Sequence, residues 1–98
     1  MQIRKNLLVK GYVQGVSYRK HTRRVASQLG VTGWVRNRSD GAVEACLEGE
    51  ENAVDAVMAW CAFGPSMGRV VEVQASSSDF TGQYREFSIG SDLVTNSV

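Results

Sequence analysis

The 98-residue sequence has no hydrophobic run approaching the roughly 20 residues that a membrane span requires. Its opening, MQIRKNLLVKGY, holds too short an apolar stretch for a secretory signal, so the expectation is a cytoplasmic protein with no membrane partner. Cysteine is scarce. Cys46 and Cys61 are too few and too unpatterned for a disulfide framework or a zinc site, and they read as small apolar fillers. Neither sign of charge dominates: 11 basic side chains face 10 acidic ones, a formal net charge of +1 that gives no whole-protein field to attract nucleic acid. Histidine occurs once. His21 stands among basic residues on what reads as the polar face of a helix, where a solvated ring is expected rather than a metal ligand or a base. Asp and Glu do not cluster into a metal site, and no cofactor is implied. Two catalytic templates are also missing. Six positions after Cys46 and Cys61 stand Asn52 and Met67, where a cysteine phosphatase needs arginine, and the lack of GK[ST] excludes a P-loop.

What remains is material for one domain, residues 1–98, with ends at 1–5 and 90–98 expected to be loosely ordered. From Asn6 to Val13, Leu7, Val9 and Val13 alternate with Leu8, Lys10 and Tyr12, the period of a strand. Tyr18, Thr22, Val25 and Leu29 form one stripe of a helix that carries Lys20, Arg23, Arg24 and Gln28 opposite. VTGWVRN and AVEACLE are two strands joined by RSDG, with Asp40 and Gly41 as a hairpin turn. In the second of them Val43, Ala45 and Leu47 face one way and Glu44, Cys46 and Glu48 the other. A second helix opens at Glu50 and Glu51, buries Ala53, Val54, Val57, Trp60 and Cys61, and stops at Gly64-Pro65. RVVEVQAS puts Val71, Val73 and Ala75 on one face, and YREFSIG turns Phe87 and Ile89 inward. This order predicts an α+β, ferredoxin-like βαββαβ sandwich: a mostly antiparallel sheet, two helices on one face and a short extra C-terminal strand. In that topology the first two strands run parallel with the third between them. Their carboxyl ends share one edge.

The stretch GYVQGVSYR, Gly11 to Arg19, leads from the first strand into the first helix. Helix N-termini favour acidic side chains, yet Arg19 and Lys20 open this helix, which calls for an anion as their partner. Glycines let successive N–H groups turn inward as an anion-binding nest, and the helix terminus adds donors of its own. Gln14, Gly15, Val16, Ser17, Tyr18 and Arg19 are therefore the expected phosphate-binding loop, with the Arg19 guanidinium gripping two oxygens in a fork. Asn37, at the end of the second strand, reaches the same edge with an amide able to orient a water for in-line attack. Without metal, nucleophile or strong base, such a site suits an acyl phosphate. Its leaving carboxylate has a pKa near ~4 and departs unprotonated, whereas an ester would need a general acid. The alternative is a non-catalytic binding module for RNA or a small anionic ligand, using Arg19, Lys20, Arg23 and Arg24 with Tyr12 and Trp34 on the uncovered sheet face. The first strands lack the paired aromatics of an RNA-binding sheet.

GYVQGVSYR resembles the first signature of the acylphosphatase family, and GWVRNRSDGAVEACLEG, Gly33 to Gly49, resembles the second. Thr22, Ala26, Leu29, Gly30, the later GP and the closing FSI also match that pattern, so the resemblance runs from about Leu7 to Ile89. It implies metal-independent hydrolysis of a carboxyl phosphate to a carboxylate and orthophosphate, with phosphate as product and inhibitor. Carried over by position, Arg19 is the phosphate-binding arginine, Asn37 holds the attacking water, and the main chain from Gly15 to Arg19 is the cradle. A monomer without a nucleic-acid partner is expected.

Overall fold

Leu7 and Val9 from one strand, with Val13 just past its end, Val43, Ala45 and Leu47 from another and Val35 from a third are buried in a single core, as their alternation demands. The computed structural model describes residues 1–91. In chain order they form β1 (Gln2–Tyr12), α1 (Tyr18–Gln28), β2 (Thr32–Asn37), β3 (Val43–Glu50), α2 (Glu51–Phe63), β4 (Arg69–Ser78) and β5 (Phe87–Ile89). The strands make one sheet in the order β4-β1-β3-β2-β5. β3 runs antiparallel to both β1 and β2, which places those two parallel, and β5 pairs with β2 in parallel. This is the expected ferredoxin-like arrangement with its extra C-terminal strand.

Both helices lie on the core side of the sheet. α1 buries Tyr18, Thr22 and Ala26, and α2 buries Val54, Val57 and Cys61. Leu29, expected in the α1 stripe, is instead 43% exposed, because the helix has ended at Gln28 and Leu29 is its cap. β1 begins earlier than the alternation predicts: Gln2 to Lys5, assigned from sequence to a loose end, pair along β3 from Glu50 to Leu47. The first residue is tied down as well, its amino group 2.9 Å from Glu50. Residues 92–98, most of the other expected loose end, lie outside the described residues.

β4 departs from its predicted face at one position. Lys10 pairs with Glu72 but Gly11 pairs with Val70, so Val71 is an extra residue in the ladder. Such a bulge inverts the alternation. Val73 and Val70 then both pack on the core, and Val71 is left 73% exposed.

Candidate active site

The link from β1 to α1 is short, and two of its residues are left-handed: Gly15 with φ 76° and Ser17 with φ 61°. Gly15 takes that conformation at no steric cost, whereas Ser17 takes it against its own preference. Alternation of left- and right-handed residues is how a backbone turns several N–H groups to one side. Ser17 occupies the cap position of α1, yet its hydroxyl caps nothing, and the first turn contains no acidic residue. The donors at the start of α1 therefore have neither of the usual intramolecular compensations.

His21 fixes this geometry. Its backbone N–H and its Nδ1 both reach the Ser17 carbonyl oxygen, at 3.0 and 2.9 Å. Because the peptide is planar and trans, a Ser17 carbonyl directed into the helix sends the Tyr18 N–H out of its N-terminal end. The ring also stacks over Trp60, with centroids 6.3 Å apart. His21 is thus half-buried, its ring partly open to solvent and hydrogen-bonded at Nδ1. Sequence spacing held a signal for this, since residue i+4 of a helix faces residue i. Tyr18 anchors the loop from below: its hydroxyl donates to the Cys61 carbonyl at 2.6 Å, and burial pushes the phenol's pKa well above its ordinary value. Burial likewise pushes the Cys61 thiol up to about 11, in keeping with a filler rather than a nucleophile.

A cavity of about 350 Å³ opens here, lined by Val13, Gly15, Ser17, Tyr18, Arg19, Lys20 and Ile89. Four of the six expected loop residues meet in it. Val16 packs against the core instead. Gln14 does something the sequence did not suggest: its Nε2 donates to the carbonyls of Arg38 and Ala42, at 2.7 and 2.9 Å. The loop after β1 is thereby bolted to the hairpin that follows β2. Asn37 ends β2 and lies in one cross-strand row with Val43 and Val9. It is not part of the cavity lining, but Val35, two residues before it, pairs with Ile89, which is. Its Oδ1 is buried with no hydrogen-bond partner among the described residues. A buried amide oxygen in that condition costs about 1–3 kcal/mol, which a water or ligand donor would recover.

The remaining charges near Asn37 are internally paired. Arg36 holds Glu44 at 2.7 Å and stacks on Trp34 at 4.5 Å. Arg38 grips Asp40 through Nε and Nη2 at 3.1–3.3 Å and reaches Glu44 at 3.5 Å. The Arg38 hydrogen bonds hold the Asp40 carboxyl below its usual range, helped by the Ala42 N–H. Arg19 and Lys20 are the cationic side chains that line the cavity. No group of three or more His, Cys, Asp and Glu able to hold a metal ion occurs among the described residues, and none of the described helices is long and apolar enough to cross a membrane.

The cavity at the β1–α1 loop and the carboxyl end of β2 thus lie at one edge of a ferredoxin-like sandwich. The acylphosphatase family model matches residues 5–89. The chain is 47% identical over 89 residues to an acylphosphatase of Geobacter sulfurreducens, covering 91% of this chain and 98% of that one. It is also 47% identical over 90 residues to an acylphosphatase of Methylococcus capsulatus, with 92% and 98% covered. The crystal structure of acylphosphatase from Bacillus subtilis superimposes with a TM-score of 0.86 at 32% identity, covering 92% of this chain and 99% of that one. The chain belongs to the acylphosphatase family, and its activity is the hydrolysis of acyl phosphates.

Proposed function

We propose that the cavity at the start of α1 binds the phosphoryl group and that Asn37 supplies the water that cleaves it. Backbone N–H groups from Gly15 to Arg19 surround the phosphoryl oxygens, and the Arg19 guanidinium closes the cradle with a pair of charge-assisted hydrogen bonds. Asn37 Oδ1 accepts a hydrogen bond from the attacking water and holds it in line with the bond to be broken. The P–O bond to the acyl group breaks as the new P–O bond forms. The carboxylate leaves unprotonated, and the water's proton passes to a phosphoryl oxygen, so neither a general acid nor a base from the protein is needed. The product orthophosphate fits the same cradle and inhibits. The protein acts as a cytoplasmic monomer on small acyl phosphates without a metal.

The observation that carries this reading is the buried, unpartnered Oδ1 of Asn37 on the strand beside the cradle. It is tested by following benzoyl phosphate and an alkyl phosphate monoester side by side with a chelator present. Rapid hydrolysis of benzoyl phosphate alone is the expected result. Comparable cleavage of the monoester, or loss of activity on chelation, would show that the site works by other chemistry.

A further inference from the structure

Among the described residues Glu48 is the fully buried carboxylate, and the hydrolysis described above gives it no part. It lies on the helix-free face of the sheet, in the row that joins Arg4, Glu48 and Thr32. Asn37 lies in the row of Val43, about 16 Å further along β3 at the ordinary strand rise. Oε2 of Glu48 accepts from the Thr81 N–H at 3.0 Å and the Thr81 hydroxyl at 2.8 Å, and Oε1 accepts from the Gly82 N–H at 3.0 Å. Arg4 Nη1 stands 3.4 Å from Oε2. Burial pushes this carboxyl up, but the Thr81 and Gly82 donors and the Arg4 charge hold it below its ordinary value.

Thr81 and Gly82 belong to a segment with an unusual task. β4 and β5 are opposite edges of the sheet, so residues 79–86 must cross β1, β3 and β2 to connect them. Four strand spacings amount to about 19 Å, within the roughly 26–29 Å that eight extended residues can reach but beyond the roughly 12 Å of a helix of that length. The core face is taken by the helices, and the crossing uses the other one. It is pinned at Glu48 in the middle, at Tyr84, whose hydroxyl accepts from Trp34 Nε1 at 3.1 Å, and at Glu86, whose carbonyl accepts from the Gly33 N–H at 3.1 Å. From there β5 runs beside β2 toward the catalytic edge, pairing at three positions, and delivers Ile89 to the cavity wall. The Gly90 N–H closes the strand on the Val35 carbonyl at 2.8 Å.

We propose that Glu48 is a positioning residue for the phosphate site: by clasping Thr81 and Gly82 on the far face it sets the path of the crossing segment, and through β5 it holds Ile89 against the cradle. The inference rests on reading that cradle as the phosphate site. A three-residue strand at a sheet edge has little hold of its own, and the buried carboxylate supplies the fixed point upstream of it. Glutamine at this position would keep the shape but bring amide hydrogens to a ring of donors, leaving at least one without an acceptor.

The experiment compares the wild type with Glu48→Gln and Thr81→Val, measuring inhibition of benzoyl phosphate hydrolysis by inorganic phosphate, thermal melting and the methyl resonance of Ile89. Both variants should melt cooperatively above the assay temperature, shift the Ile89 methyl signal and weaken phosphate inhibition about threefold or more, with the larger effect in Glu48→Gln. An inhibition constant belongs to each folded molecule, so a smaller folded fraction would lower the rate and leave the constant alone. A folded variant with an unchanged constant and an unmoved Ile89 signal would overturn the proposal. Should Glu48→Gln fail to fold, Thr81→Val keeps the carboxylate and both backbone donors, and acid titration of the wild type supplies a second measurement. The ionisable groups around Glu48 are Arg4 on β1 and Cys46 on β3, with Tyr84 on the crossing against both of these. Glu50, two residues on along β3, is also held below its ordinary value, by the N-terminal amino group, so the Thr81 and Gly82 amides that bond Glu48 directly are the reporters of its titration. The Thr81 and Gly82 amides and the Ile89 methyl should follow one common titration below the ordinary carboxylate range. An Ile89 methyl that ignores that titration would equally overturn the clasp. Failure of phosphate to inhibit the wild type would instead sink the cradle reading, and the Ile89 shift would still report on Glu48.

Discussion

In the proposed mechanism Arg19 binds the phosphoryl group and Asn37 holds the water, so their substitutions should have separable effects. Arg19→Gln removes the forked cation from the cradle. Turnover of benzoyl phosphate should fall by at least about a hundredfold, with phosphate inhibition weakened in parallel. Asn37→Ala removes the water's acceptor and leaves the cradle intact, so turnover should be lost at a nearly unchanged phosphate inhibition constant. Near-normal turnover of Asn37→Ala would end its assigned role. Tyr18→Phe tests the support beneath the loop. Leaving the Cys61 carbonyl without its donor should cost about 1–3 kcal/mol in urea denaturation, with kcat reduced far less than by Asn37→Ala. Arg19 stands out in the sequence because a cation at a helix start breaks a local rule, whereas Asn37 breaks none and becomes a candidate only through the strand edge it shares with the loop. The i+4 spacing hints at the His21–Ser17 contact, but the role of Gln14 has no local trace, because it depends on carbonyls that the tertiary fold brings within reach.

At the scale of elements, β2 matters more than its six residues suggest, for it carries Asn37 and supports β5. Gly33 lets β3 approach: a Cβ there would overlap the Cys46 carbonyl oxygen, and φ is 132°. Gly33→Ala should therefore destabilise by about 3–5 kcal/mol, read as a shift of the urea midpoint. Gly15, by contrast, has open space where its Cβ would stand, at φ 76°. Gly15→Ala should cost only the left-handed backbone penalty of about 1–2 kcal/mol, while weakening phosphate inhibition through the altered cradle. A Gly15→Ala protein as unstable as Gly33→Ala would mean that the loop is more tightly packed than its surroundings suggest. Periodicity revealed every helix and strand of the described residues, since one buried face leaves a regular trace in the sequence. It misplaced Val71, because a bulge shifts the phase without altering composition, and it could not foresee the N-terminal start of β1, where pairing to β3 orders a polar run.

For the molecule as a whole, charge and acid stability are linked through a few sites rather than a net field. With a formal charge of +1, attraction of anionic substrates must come from the cations around the cavity, so KM for benzoyl phosphate should rise several-fold between low and high salt as those charges are screened. An insensitive KM would indicate that local charge does not steer the substrate. Glu48, held below its ordinary pKa, contributes stability that is complete above the unfolded carboxylate value and is lost as pH falls through the folded one. The urea midpoint of the wild type should thus drop on acidification below about pH 4.3, and the drop should be smaller in Glu48→Gln. Equal drops would assign acid sensitivity to other carboxylates. The sequence by itself determined the order of elements and most of the buried stripes, and it singled out the proposed phosphate loop with Arg19 and Asn37 as candidates, because these readings follow from periodicity, backbone preference and local chemistry. Only the tertiary structure decided that Gln14 ties the two halves of the site together, and that a chain crossing the far face is held by a buried Glu48 and ends at the cavity wall. Those contacts join residues far apart in the chain, and no local pattern records which donor will meet which acceptor once the sheet has assembled.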